Sequence, residues 1–181
     1  MLLTKSQSCL LLIDVQEKLV PLIDEVAALI LKWQWLLNLA KDLQIPQIVT
    51  EQYPQGLGLT IGPLQPLITN AQKFTKTEFS CCRAEGFNEN LQRLNKTQVI
   101  LIGIETHVCI LQTAFDLFAA GLQVFVVVNG VGSRAVVDYN CALERLKQLG
   151  VSLVTAEMVF FEWIGQAGTE EFKILSKKYL K

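Results

Sequence analysis

Residues Val99 to Ile110 read VILIGIETHVCI, and the fold is decided there. Val99, Ile100, Leu101 and Ile102 form an unbroken apolar run, mostly β-branched. A strand with one solvated face would alternate, so this run is expected to be a parallel strand buried on both sides. Gly103 is read as breaking the run, and a helical pattern begins around Thr106 and continues to Ala120. A buried strand handing over to a helix is the repeating step of an α/β sheet. Cys109 falls close to the helix's first turn, where backbone N–H groups lack partners and the macrodipole favours a thiolate. A buried structural cysteine would occupy the same position, so the choice rests on the rest of the chain.

Toward the N-terminus, Cys9 to Ile13 (CLLLI) is a second continuous apolar run and reads as a central strand. Asp14 ends it, which puts a carboxylate at the carboxyl end of the strand, the edge where open α/β sheets bind ligands. Asp24 is expected to cap a helix through about Leu43, with Val26, Leu29, Ile30, Trp33, Leu36, Leu37 and Ala40 on its apolar face. Ile45 to Val49 is the next strand. The segment Thr50 to Pro66 (TEQYPQGLGLTIGPLQP) is too rich in Gly and Pro for regular structure and reads as a long loop suited to substrate contacts. Gln72 to Ser80 follows with Lys76 inside it, and Asn88 to Leu94 makes a short helix.

Toward the C-terminus, Gly121 ends the helix that carries Cys109, and Val124 to Val128 is another strand. Asn129, Gly130 and Gly132 suit a tight turn, while their G-x-G lacks the third glycine and downstream acid of a dinucleotide site. Ser133 is expected to begin a helix to Leu149, Val151 to Thr155 to form the last strand, and Thr169 to open a terminal helix. Strands alternating with helices imply a parallel sheet covered on both faces with right-handed crossovers. Residues 1–181 read as a single domain.

The chain has 181 residues, 51% of them hydrophobic, enough for one well-filled core. Sixteen basic residues against 17 acidic give a formal charge of −1, so no electrostatic footprint for nucleic acid or an anionic membrane is present. A small-molecule partner is expected. The apolar runs are too short to span a bilayer, and Met1 to Leu12 lacks the layout of a signal peptide, which points to the cytoplasm. The cysteines, Cys9, Cys81, Cys82, Cys109 and Cys141, are odd in number and lack C-x-x-C spacing, so neither a disulfide framework nor a thiolate zinc site is expected.

A cysteine nucleophile needs a proton acceptor. His107, the one histidine, lies two residues from Cys109, which points the two side chains to roughly opposite sides of a helix. Asp14 is the leading base, and Lys76, together with the helix start, is expected to lower the thiol pKa.

That combination resembles the isochorismatase-like cysteine hydrolases. The resemblance is carried by LLLIDVQEKL around Asp14, KTEFS around Lys76, GIETHVCI around Cys109 and GLQVFVVVNGVGSR after it. TEQYPQGLG at 50–58 is similar to the loop of the isochorismatase domain-containing branch. The resemblance implies an α/β, three-layer fold with a six-stranded parallel sheet in the order 3-2-1-4-5-6. It also implies a catalytic triad of Asp14, Lys76 and Cys109, and a cis peptide at Ile104-Glu105 that turns the backbone N–H groups of Glu105 and Cys109 into an oxyanion hole. Gln16, Tyr53 and Phe79 are candidates to line or brace the pocket. Nicotinamidases of this superfamily hold a metal through an aspartate and histidines after the second strand. TEQYPQGLG supplies only Glu51, so no metal and no cofactor are expected. True isochorismatases cleave a vinyl ether without a nucleophilic cysteine, so Cys109 favours acyl transfer.

The expected function is hydrolysis of a C–N, amide-type bond of a small molecule through a thioester. The alternative is a weak or inactive family member serving as an interaction or scaffold subunit, and the neighbours Cys81 and Cys82 raise a redox-responsive reading of lesser weight. Val159, Phe160, Phe161 and Trp163 gather enough aromatic surface to suggest a homo-oligomer, a dimer or higher, built partly on that segment.

Overall fold

In the computed structural model, which describes residues 1–180, six parallel strands form one sheet in the order β3-β2-β1-β4-β5-β6. They are β1 (Ser8–Ile13), β2 (Gln47–Gln52), β3 (Gln72–Lys76), β4 (Gln98–Ile104), β5 (Gln123–Gly132) and β6 (Ser152–Val154). This is the expected order. The helices are α1 (Val26–Asp42), the single turn α2 (Pro54–Leu57), α3 (Phe87–Leu94), α4 (Leu111–Ala119), α5 (Val136–Leu149), α6 (Ala156–Ile164) and α7 (Glu170–Tyr179). Among the described residues, no helix is long and apolar enough to cross a membrane.

The unbroken apolar runs divide between two cores as the period of a strand requires. Leu10 and Leu12 of β1 and Ile100, Ile102 and Ile104 of β4 pack with Trp33, Leu36 and Leu37 of α1 and Phe160 and Trp163 of α6. Cys9, Leu11 and Ile13, with Val99 and Leu101, pack on the opposite face with Phe87 of α3 and Ala114 and Leu117 of α4. Each fully buried leucine contributes about 1.5–3 kcal/mol of transfer free energy, so the sheet's centre is also its most stabilised part.

Several expected boundaries move, each for a local reason. Gly103 does not end its strand. It lies inside β4 at φ +116°, pairs with Ile13 and Val131, and sits where a Cβ would collide with the backbone of Ile13. Asn129, Gly130 and Gly132 do not form a tight turn but continue β5, whose register shifts opposite Leu101 and Gly103. Trp33 Nε1 donates to the Gly130 carbonyl at 2.7 Å, and Leu29 and Ile23 fill the space beside Gly132. Ser133 precedes the helix, which starts at Val136 after an extended Ala135. Glu25, at φ +50°, stands before α1, and Asp24 accepts from the Glu25 N–H at 3.0 Å instead of capping the helix directly. Thr50 to Gln52 belong to β2, and the segment after them holds α2 and a 3-10 stretch at Gly62–Leu67.

The aromatic segment is also corrected. Val159, Phe160 and Trp163 are fully buried in the molecule's own core, on the inward face of α6, and Phe161 alone of the four is exposed. A helix repeats every 3.6 residues, so positions i, i+1 and i+4 share one face.

Candidate active site

The order of the sheet reverses beside β1, whose neighbours β2 and β4 lead outward to opposite edges, and the crevice at such a point opens at the carboxyl ends of the strands. Asp14 follows β1 there. It adopts φ +53°, a conformation that aspartate tolerates better than most residues. Its N–H donates to the Thr50 carbonyl and its own carbonyl accepts from the Gln16 N–H, so the chain turns away while the carboxylate stays in the crevice. That side chain is completely buried. Oδ1 accepts from Thr50 Oγ1 at 2.7 Å and Oδ2 from Lys76 Nζ at 2.6 Å.

Lys76 is the last residue of β3, an edge strand in which it alone is buried. Its ammonium donates to three oxygens: Asp14 Oδ2, Gln52 Oε1 at 2.5 Å and the Phe79 carbonyl at 3.1 Å. Burial opposes the charge, but Asp14, followed by the nearby thiols Cys81 and Cys109, outweighs it and holds the ammonium above the ordinary lysine range. A buried ion pair is tolerable when its remaining hydrogen-bonding capacity is filled, as here.

Cys109 enters from β4. After Ile104, whose peptide bond to Glu105 is cis, the chain makes a π-helical turn at Thr106–Ile110 that runs into α4. The amides of Val108 and Ile110 both donate to the Glu105 carbonyl, at 3.1 and 3.2 Å. Burial, and then the Asp14 carboxylate, push the Cys109 thiol well above the ordinary range, and Lys76 pulls only partly the other way. This overturns the expected lowering of the thiol pKa. The lysine charge is already shared with Asp14, and Cys109 is the fourth residue of the helical run, where the helix-start field has weakened.

The remaining candidates separate. Gln16 is wholly buried and braces the end of β2: its Oε1 accepts from the Gln52 N–H at 2.6 Å, and its Nε2 donates to the carbonyls of Gln52 (2.9 Å) and Gly58 (2.7 Å). Tyr53 and Phe79 adjoin Lys76 through their main chains, the Tyr53 N–H donating to the Lys76 carbonyl and the Phe79 carbonyl accepting from Lys76 Nζ, and both residues are more than half exposed. The Glu105 side chain accepts from Arg134 Nε at 2.7 Å, and His107 Nδ1 lies 3.0 Å from Ser133 Oγ. Glu51 Oε1 accepts from both the N–H and the hydroxyl of Thr60, each at 2.7 Å. Among the described residues, no three His, Cys, Asp or Glu side chains gather as a metal-holding group.

Thr50, Gln52 and Cys81 are site residues that the sequence reading missed. Thr50 pairs with Ile13 and Gln52 with Lys76 across the sheet, so both sit beside the charged pair. The signal is the i, i+2 spacing of a strand, hidden because the Gly- and Pro-rich composition that follows makes Thr50 read as the start of a loop. Cys81 is fully buried, with Sγ 3.6 Å from Thr50 Oγ1, and burial raises its thiol to about 12.

A parallel sheet in this order, with a buried acid–lysine pair and a thiol at its carboxyl edge, places the protein among three-layer α/β proteins that work at the strand ends. Within that class the isochorismatase domain matches residues 8–158, and the chain belongs to the isochorismatase family of hydrolases. It is 40% identical over 176 residues to isochorismatase domain-containing protein 2 of Danio rerio, covering 97% of this chain and 88% of that protein. The structure of MAR1 ribonuclease from Caenorhabditis elegans superposes with a TM-score of 0.93 at 37% identity, covering all of this chain and 93% of the other. The ycaC gene product of Escherichia coli, described as an octameric hydrolase of unknown specificity, has the same fold, with a TM-score of 0.89 at 24% identity and coverage of 99% and 91%.

Proposed function

We propose that the protein hydrolyses an amide-type C–N bond of a small molecule through a thioester on Cys109, with Asp14 and Lys76 completing the triad. The observation that carries this reading is the solvent-free Asp14–Lys76 pair, 2.6 Å apart, at the same carboxyl edge of the sheet as the buried Cys109 thiol. Burial keeps the Cys109 thiol protonated at rest, Asp14 is the carboxylate placed to take that proton, and Lys76 offsets part of the cost of the thiolate that forms. As Cys109 Sγ bonds to the substrate carbonyl carbon, its proton passes to Asp14. The oxyanion is met by the N–H groups of Glu105 and Cys109. Asp14 returns the proton to the departing nitrogen as the C–N bond breaks. Water then gives a proton to Asp14 and attacks the thioester, and the C–S bond breaks as the sulfur recovers that proton. Lys76 offsets the charge on Asp14 and on the sulfur throughout.

Screening small amides, ureides and hydrazides for release of ammonia or amine tests the reading, with mass spectrometry of protein quenched during turnover. The expected result is an acyl adduct on Cys109 that Cys109→Ala abolishes, together with turnover reduced at least a thousandfold. An adduct on another cysteine, or full activity in Cys109→Ala, overturns it.

A nuclease reading enters through the name of the Caenorhabditis relative. With 16 basic against 17 acidic residues the chain has no net positive charge to draw a phosphate backbone, so the small-molecule reading is kept and an RNA substrate becomes one arm of the screen. The deep placement of Cys109 favours the scaffold alternative, and a screen without turnover but with an unreactive Cys109 would be its signature. Self-association belongs to the same proposal, prompted by the octameric relative and by the apolar side chains that α6 leaves outside, Met158 and Phe161.

A further inference from the structure

We propose that Gln52 is a positioning residue, a neutral acceptor that fixes the Lys76 ammonium against Asp14 and Cys109. The inference rests on the triad reading above and extends it to a residue outside the triad.

Lys76 reaches the site on a flexible four-carbon stem, and a single ion pair leaves such a head free to swing. Two further acceptors close the geometry, the Phe79 carbonyl and Gln52 Oε1, the latter at the end of β2 directly across from Lys76 in the sheet. The Gln52 amide has no freedom to turn over. Its Nε2 donates to the Thr77 carbonyl at 2.6 Å, so the oxygen end must face the lysine. Its backbone is fixed from the other side, because the Gln16 amide accepts from the Gln52 N–H and donates to the Gln52 carbonyl, the pattern a further strand would make. A third bond, from Gln16 to the Gly58 carbonyl, ties the loop after β2 to the same framework. Both glutamines are buried, as are Lys76 and Asp14, so the chain Gln16–Gln52–Lys76–Asp14 is shielded from water and only its Gly58 end is partly exposed.

Charge explains why the acceptor is an amide. A carboxylate at position 52 would satisfy the ammonium equally well but leave two acids against one lysine, and the added negative charge would oppose the thiolate that must form on Cys109. An apolar side chain would leave one buried N–H without a partner and let the ammonium drift from the sulfur. Glutamine holds the lysine without spending its charge.

The test reads the alkylation rate of Cys109 by iodoacetamide, site-resolved by peptide mass spectrometry across pH 7–10, in the wild type, Gln52→Leu, Gln52→Glu and Asp14→Asn. Below the thiol's midpoint the rate follows the thiolate fraction, so a one-unit rise in pKa appears as a tenfold loss. Gln52→Leu is expected to slow Cys109 at least threefold at pH 9, and Gln52→Glu to slow it further. A merely structural glutamine predicts the opposite, because a loosened site admits the reagent and speeds alkylation. An unchanged or faster Cys109 in Gln52→Leu overturns the proposal. Should that variant fail to fold, Gln52→Asn, which keeps a neutral amide but is one carbon too short to hold the ammonium from the same backbone position, decides by the same criterion. Asp14→Asn separates the two levels of the argument. If it leaves the Cys109 rate unchanged, the coupling of Asp14 to the thiol fails and the triad reading falls with it. If it changes the rate while the Gln52 variants do not, the positioning role alone is wrong.

Discussion

Burial sets the resting state of Cys109, because removing water disfavours the thiolate and Lys76, shared with Asp14, only partly restores it. The thiols of Cys9 and Cys81 are held at about 12 by the same cause. Cys141 is exposed. Iodoacetamide at pH 7.5 is therefore expected to label Cys141 first, with Cys109 behind it, and peptide mapping reads the order directly. Asp14→Asn removes the carboxylate that, after burial, does most to raise the thiol, and leaves the lysine facing it. Alkylation of Cys109 should then rise about tenfold while turnover of any confirmed substrate is lost, since an asparagine cannot take the proton. A Cys109 that labels fastest in the wild type, or one that slows in Asp14→Asn, contradicts this account. At this scale Asp14 and Cys109 were legible because each follows an unmistakable buried strand, Asp14 at once and Cys109 in the first helical turn after it. Lys76 was not legible from its own surroundings: it ends a strand exposed almost throughout, and only the resemblance marked it.

Elements were legible in proportion to how uniformly they are buried. β1 and β4 lie between two cores and show continuous apolar runs, whereas β5 extends through Asn129–Gly132, a composition that reads as a turn in isolation. What makes it a strand is tertiary: the Trp33 indole on the Gly130 carbonyl and the close approach of α1 at Gly132, neither of which is visible along the chain. The terminal helix shows how one cap and one clamp fix an element. The Thr169 side chain accepts from the Phe172 N–H at 3.1 Å and opens α7. At its other end Lys178 Nζ and the Tyr179 hydroxyl each donate to Asp42 Oδ2 at 2.6 Å, at the last residue of α1. Burial works to raise the Asp42 carboxyl, but the bonds from Lys178 and Tyr179 outweigh it and hold it below the ordinary range. Burial and then Asp42 raise the Tyr179 phenol. A lowered carboxyl contributes stability above its unfolded pKa of about 3.9, lost as pH falls through the folded value, and a raised phenol contributes below about 10, lost as pH climbs through its own. Asp42→Asn should therefore cost about 0.5–1 kcal/mol at pH 7, a small figure because the pair is largely solvated, and less at pH 2, where the carboxyl carries more of its proton in the folded state. Urea denaturation at the two pH values measures the difference, and an equal cost at both would remove the charge from the explanation.

At the scale of the whole molecule, the aromatic segment after β6 shows why composition alone misplaces an interface. Val159, Phe160 and Trp163 satisfy their hydrophobicity inside the chain, with the Phe160 ring 5.3 Å from that of Phe161 and the Trp163 indole donating to Ser8 Oγ at 3.0 Å. An alternating or clustered apolar run cannot say whether its partner lies in the same chain, because both outcomes remove the same area from water. The part of α6 left over is smaller, Met158 and Phe161, and its neighbours Glu157 and Glu162 give it a polar margin of the kind that rims an interface. With a formal charge of only −1, little net repulsion opposes the meeting of two copies. Multi-angle light scattering at micromolar concentration is accordingly expected to give a mass that is a multiple of 20.3 kDa. Phe161→Glu should shift that mass toward the monomer while the circular dichroism and melting temperature stay near those of the wild type, since the buried face of α6 is untouched. A monomeric wild type ends the proposal of self-association. An unchanged multimer in Phe161→Glu moves the contact to another face and leaves α6 with a single role, closing the core behind the sheet on which Asp14 and Cys109 are mounted.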